Sequence, residues 1–171
     1  MDQLKAKFES KAKALATEVR DFLKEHGGKK VDEVIVKQVF GGMRGIKSMV
    51  WETSQLDANE GIRFRGYSIP EIKERLPKIE GGKEPLPEGL FWLLLVNEIP
   101  TKEQVDWLSD EWEKRAKVPQ FVLDLLDNLP KGTHPMTQFT LAITAMQTDS
   151  EFAKKYWEGI SKHDYWDPTY E

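Results

Sequence analysis

Gly41-Gly42-Met43-Arg44-Gly45 is the stretch of this chain best suited to hold a ligand. Glycines let the backbone turn sharply and approach a bound group closely, and arginine presents a planar fork that can grip phosphate. The same five residues would also serve as a plain connection after a strand. Histidine, the usual proton-transfer group near neutral pH, occurs three times. His26 abuts Gly27 and reads as the last residue of a helix, where the dipole favours a cation. His134 precedes Pro135 at a helix start, and packing is a better reading of it than catalysis. His163 lies among Lys162, Asp164 and Tyr165, a setting that gives little reason to expect catalysis.

The other charged clusters read more simply. Arg63 and Arg65 alternate with Ile62 and Phe64, which suits a solvated strand face or a structural ion pair. Asp57-Ala58-Asn59-Glu60-Gly61 loosely resembles a calcium loop but lacks the alternating acids and the distal glutamate, so a turn is expected. Lys5, Lys7, Lys11 and Lys13 are mixed with acids and read as a solvated helix face. The tryptophans at 92, 107, 112, 157 and 166 read as core or interface mass. No cysteine is present, which excludes disulfides, thiolate metal sites and a cysteine nucleophile.

These residues need elements to position them. Leu4, Phe8, Leu15, Val19 and Phe22 recur at helical steps, and the helix they mark is expected to stop at Gly27-Gly28 in left-handed geometry. Val31 to Phe40 is rich in β-branched residues and predicts a strand leading into the glycine turn. Met49-Val50-Trp51 is the expected partner of Ile62 to Arg65, with the turn at Asp57 to Gly61 between them. From Ser68 onward the pattern is helical. Ser68-x-x-Glu71 is a capping box with Pro70 in the first turn, and Lys78 to Pro87 is a loop. Leu90 to Val96 is apolar on every side and predicts a fully buried helix. Further helices are expected after Thr101, after Pro119, and near Pro135 and Ser150.

The fold expected is therefore mainly α, with a small β element within residues 31–66. The organisation read from the chain is an amphipathic helix at 1–30, the β-containing segment at 31–66 and a helical part at 67–171. A length of 171 residues suffices for a core, and 39% hydrophobic against 32% charged content fits a soluble protein. A net charge of -4 gives no field that would draw nucleic acid or an anionic membrane. The longest apolar run, Leu90 to Val96, is too short for membrane insertion. The N-terminus has no apolar signal segment, and Asp2, Glu9 and Glu18 interrupt its lysines, so no presequence is expected in this chain.

Gly41 to Gly66 reads GGMRGIKSMVWETSQLDANEGIRFRG, followed by Tyr67-Ser68-Ile69-Pro70-Glu71 and Glu84-Pro85-Leu86-Pro87-Glu88-Gly89-Leu90-Phe91-Trp92-Leu93. In that order and spacing, these blocks resemble the N-terminal part of eukaryotic-type citrate synthase. The resemblance continues through Asp127-Asn128-Leu129-Pro130, His134-Pro135-Met136, Gly159-Ile160-Ser161 and Tyr165-Trp166, and so covers nearly the whole chain.

The resemblance implies part of the large helical domain of a two-domain, mitochondrial-matrix homodimer that condenses acetyl-CoA with oxaloacetate to citrate and CoA. It implies acetyl-CoA as a substrate and no tightly bound cofactor. That reaction needs a base for the acetyl methyl, a donor for the enolate oxygen and cations for the oxaloacetate carboxylates. None of the three histidines here matches the family's catalytic histidine motifs, and the family's catalytic aspartate is absent too. The chain alone is therefore expected to be inactive, its partners being the rest of the enzyme and a second subunit. The resemblance also implies that Arg44 contributes to the site for the CoA phosphates, and that Lys162 contributes from the partner subunit. The family often has arginine at that second position, and lysine keeps the charge without the fork. The alternative to be weighed is a shortened, non-catalytic paralogue serving as a structural subunit of a larger assembly.

Overall fold

The amphipathic stripe at the N-terminus forms helix α1, Asp2–His26. It begins with an acid, Asp2, and ends with Lys24 and His26, each matched to its end of the helix dipole. Gly27 stops it as expected, but for another reason. Neither Gly27 nor Gly28 has a positive φ. A Cβ on Gly27 would instead lie 2.5 Å from the Leu23 carbonyl oxygen, which accepts the Gly27 N–H. A computed structural model describes residues 2–43, 45–46, 50 and 53–170. These divide into two units, Met1–Lys5 with Asp106–Glu171, and Ala6–Val105.

Within Ala6–Val105, the stretch expected as a strand is not one. Residues 31–35 carry no regular structure, and Val36–Phe40 forms a single helical turn, α2. β-branched residues favour a strand only where a neighbouring strand satisfies the backbone, and none pairs here among the described residues. Gln38 supplies a local alternative. Its Oε1 accepts the Ile35 N–H at 3.0 Å, while its own backbone N–H bonds Ile35 O at 2.9 Å.

The sheet has the order β1-β2-β3, with β1 Ser54–Asp57, β2 Gly61–Phe64 and β3 Tyr67–Ser68, all antiparallel. Asp57 to Gly61 is the expected turn. The Asp57 carboxylate accepts the backbone N–H groups of Asn59 and Glu60 at 2.8 and 2.9 Å, and those bonds, Glu60 first, hold its pKa below the ordinary value. The partner of β2 is Ser54–Asp57, in the register Ser54↔Phe64 and Asp57↔Gly61, rather than residues 49–51. A tight turn pairs whatever adjoins it, so polar Ser54-Gln55 enters the ladder despite modest β propensity. Val50 is exposed outside the strands; Met49 and Trp51 lie outside the described residues.

Helix α3, Ile69–Arg75, starts where its capping residues direct: the Glu71 carboxylate accepts from the Ser68 N–H at 2.8 Å and the Ser68 hydroxyl at 2.6 Å. Helix α4, Pro87–Val96, carries the all-round apolar run. Trp92, Leu93 and Val96 are buried and Leu90, Phe91, Leu94 and Leu95 are half-buried, so the run is covered well but not completely. Ile72, Leu76 and Leu93 form the core, with Phe64, Tyr67, Leu90 and Ile99 packed around them. Asn97 ends α4 in the left-handed conformation at φ 58°, its N–H on Leu93 O. Just beyond it, Glu98 accepts from Lys7 at 2.8 Å and Lys11 at 2.7 Å, which lowers its pKa, Lys11 contributing most. Two of the lysines read as a solvated face thus tie α1 to the end of α4. Lys13 pairs with Glu9; Lys5 and Asp167, 3.2 Å apart, both belong to the unit of Met1–Lys5 and Asp106–Glu171.

Helix α5, Lys102–Arg115, opens on the Thr101/Gln104 box, with Thr101 N–H on Gln104 Oε1 at 3.0 Å. Its face carries Val105 and Leu108, both fully buried. In the unit from Asp106 onward, α6 (Gln120–Asp127) packs against α7 (Pro135–Ala145). Then come α8, Glu151–Trp157, capped by Ser150, and α9, Trp166–Thr169. The architecture is mainly helical with one small sheet, as the sequence implies. No described helix is long and apolar enough to cross a membrane.

Candidate functional site

Arg44 lies outside the described residues, but the turn that carries it is defined on both sides. Gly42, Met43 and Gly45 have φ values of 72°, 65° and 76°. A Cβ at Gly42 or Gly45 would meet nothing within 4 Å, so conformation and not space calls for glycine there. Met43 holds the same geometry without that freedom, at a cost of about 1 kcal/mol. Strain of this kind persists where the surroundings impose it, and it is common at binding sites.

Those surroundings come from α2. Gly41 N–H bonds Lys37 O at 3.0 Å, Met43 N–H bonds Gln38 O at 2.9 Å, and Gln38 Nε2 donates to Gly45 O at 3.2 Å. Gln38 therefore braces both the start of α2 and the far side of the glycine turn. Sequence reading missed it. The signal was available in a glutamine three residues after Ile35, within side-chain reach of that N–H once a helical turn, not a strand, is drawn there. Gly41, Gly42, Met43 and Gly45 are all exposed, so the turn opens to solvent.

Lys162 belongs to the other unit and is exposed at the start of a 3₁₀ turn, Lys162–Asp164. Ser161 caps that turn: its hydroxyl oxygen accepts the His163 N–H at 3.3 Å and its carbonyl accepts the Asp164 N–H at 2.9 Å. The chain enters it from α8 through Gly159, at φ 83°, with Gly159 N–H on Tyr156 O and Ile160 N–H on Lys155 O. It leaves through Tyr165, whose ring meets Phe152 edge-on at 5.4 Å. Among the described residues Lys162 makes no ion pair.

The remaining candidates fall into structural roles. His26 ends α1, packed edge-on against Phe22 at 4.9 Å. His134 caps α7, its Nδ1 accepting the Met136 N–H at 3.1 Å. His163 is exposed in the 3₁₀ turn. Arg63 pairs with Glu60, lies 3.7 Å from Glu71 and donates to Gly66 O at 2.9 Å, which knits the hairpin to α3. Arg65 forks onto Leu94 O from Nε and Nη2 at 3.0 and 2.6 Å, so it anchors the sheet to α4 and is not a solvated strand residue. Trp92 is core, as expected of the tryptophans, whereas Trp157 is 83% exposed. No group of three or more histidine and acidic side chains among the described residues could hold a metal.

Comparison with known proteins bears on what this arrangement serves. A family model described as "Citrate synthase, C-terminal domain" matches residues 42–171, a span that takes in both Arg44 and Lys162. "Citrate synthase, mitochondrial" of Saccharomyces cerevisiae is 54% identical over 168 residues, which are 98% of this chain and 35% of the yeast protein. The protein of the same name from Xiphias gladius is 54% identical over 155 residues, 91% of this chain and 33% of its own. That of Aspergillus niger is 54% identical over 168 residues, with 98% and 35% covered. The chain spans about a third of the length of the curated relatives it matches.

Proposed function

The chain belongs to the citrate synthase family, and we propose that it is the N-terminal region of a mitochondrial enzyme that condenses acetyl-CoA with oxaloacetate. In this reading it supplies large-domain helices, contacts to a second subunit and a cationic edge of the CoA site. The observation that supports this reading is the turn in which Gly42, Met43 and Gly45 all have positive φ and Gln38 braces Gly45, because glycine-rich backbone of this kind can approach a phosphate. Arg44 grips a CoA phosphate there with its fork. Lys162, held on a capped turn and without an ion pair among the described residues, reaches toward the phosphate in the partner subunit's site.

The chemistry comes from elsewhere in the enzyme. His134 is engaged as a helix cap and His26 as a helix end packed on Phe22, so neither is placed as a base for the acetyl methyl. The purified chain mixed with acetyl-CoA and oxaloacetate should therefore release no thiol beyond a protein-free control. Sustained release that co-purifies with the chain and survives removal of host enzyme would overturn this part of the assignment.

A further inference from the structure

We propose that Gln38 is a positioning residue for acetyl-CoA, acting through Arg44; this rests on the reading of Arg44 given above. Position 44 stands between two residues that Gln38 holds directly. On one side the Met43 N–H bonds the Gln38 carbonyl at 2.9 Å, and on the other Gln38 Nε2 donates to Gly45 O at 3.2 Å. Ile46 N–H bonds Met43 O at 3.4 Å, so the chain reverses between those two residues. The other end of the same amide is engaged as well, its Oε1 accepting the Ile35 N–H at 3.0 Å. An amide can donate and accept at once, whereas a carboxylate of the same shape can only accept. One side chain thus ties the start of α2 to the far side of the glycine turn.

Side-chain packing does little to fix this segment. Gln38 is half-buried while every other residue from 31 to 40 is exposed, Phe40 at 89%. Hydrogen bonds therefore hold the turn in this chain, and those of Gln38 reach across it. Met43, at φ 65°, is strained and keeps that geometry only under such a restraint. An arginine fork meets a phosphate squarely only from a fixed backbone, and a misplacement of about 1 Å is costly where binding depends on orientation.

Steady-state kinetics of a complete enzyme that contains this region separates positioning from general support. Gln38→Glu keeps an acceptor for the Ile35 N–H and loses the donor to Gly45 O. It should raise the KM for acetyl-CoA roughly three- to fivefold, with kcat and the KM for oxaloacetate at their wild-type values. Gln38→Ala loses both bonds and should do at least as much; Gln38→Glu carries the test even where the alanine variant does not fold. In the Arg44→Ala background Gln38→Glu should add nothing, because the residue it positions is gone. An unchanged KM for acetyl-CoA, or the same rise with and without Arg44, would overturn the positioning role and leave the reading of Arg44 standing. Loss of kcat together with both KM values would mark Gln38 as a support of the fold and overturn it too. Arg44→Ala without effect on acetyl-CoA would remove the reading of Arg44, and this proposal with it.

Discussion

Arg44→Ala should weaken acetyl-CoA binding by about tenfold or more in an enzyme that contains this region. A charge-assisted hydrogen bond to phosphate contributes about 1.5–3 kcal/mol, and about 1.4 kcal/mol is a factor of ten. Gly42 and Gly45 matter because glycine lets the backbone turn sharply and come close to a ligand. Under the proposed role, in which Arg44 contacts only the CoA phosphate, oxaloacetate affinity should barely move. Arg44→Lys should fall between wild type and alanine, keeping the charge but presenting a single ammonium. Dephospho-CoA gives the sharper control. If Arg44 grips the 3′-phosphate, the alanine variant loses its disadvantage with that analogue. Equal affinity of wild type and Arg44→Ala for acetyl-CoA would return the segment to a structural turn.

Leu93→Ala should cost about 2–5 kcal/mol of stability, because it removes buried methyl groups and leaves a cavity that neighbours fill only in part. Leu93 is fully buried on α4, and Ile72 and Leu76 of α3 complete its core, with Phe64 and Tyr67 of the sheet region packed against them. It thus joins the hairpin, α3 and α4, and total stabilities are only about 5–15 kcal/mol. Leu56→Ala is the matched control. Leu56 is 76% exposed on β1, and exposed substitutions of this kind stay within about 0.5 kcal/mol. Urea titrations read by tryptophan fluorescence should show a much lower midpoint for Leu93→Ala. Equal midpoints for the two variants would mean that the Ile72–Leu76–Leu93 cluster is not what holds this unit together.

Local signals in the sequence carried over well. The 3.6-residue stripe, the Ser68/Glu71 and Thr101/Gln104 boxes and the helix-opening prolines all act within one or two turns, and each appears where the residues place it. What the sequence left open depends on partners distant along the chain. Val31 to Phe40 has strand-forming side chains, yet no described strand lies beside it, and Gln38 closes a helical turn instead. Lys7 and Lys11 resemble any exposed helix lysines until the end of α4 brings Glu98 to them. Periodicity also states which residues share a face without saying what covers it. Leu4 and Phe22 belong to one stripe, but the first is fully buried and the second 60% exposed. At the candidate site the glycines were legible because positive φ is a local demand, whereas the Gln38 brace required knowing that α2 is a helix.

The most direct measurement is thiol release by a chimera in which this chain replaces the matching 168 residues of the Saccharomyces cerevisiae relative. The proposed role predicts a folded chimera that releases CoA from acetyl-CoA only when oxaloacetate is present. The chain by itself should release none under the same conditions. A chimera that folds but neither binds acetyl-CoA nor turns it over would contradict the assignment of this region to the CoA site of a citrate synthase.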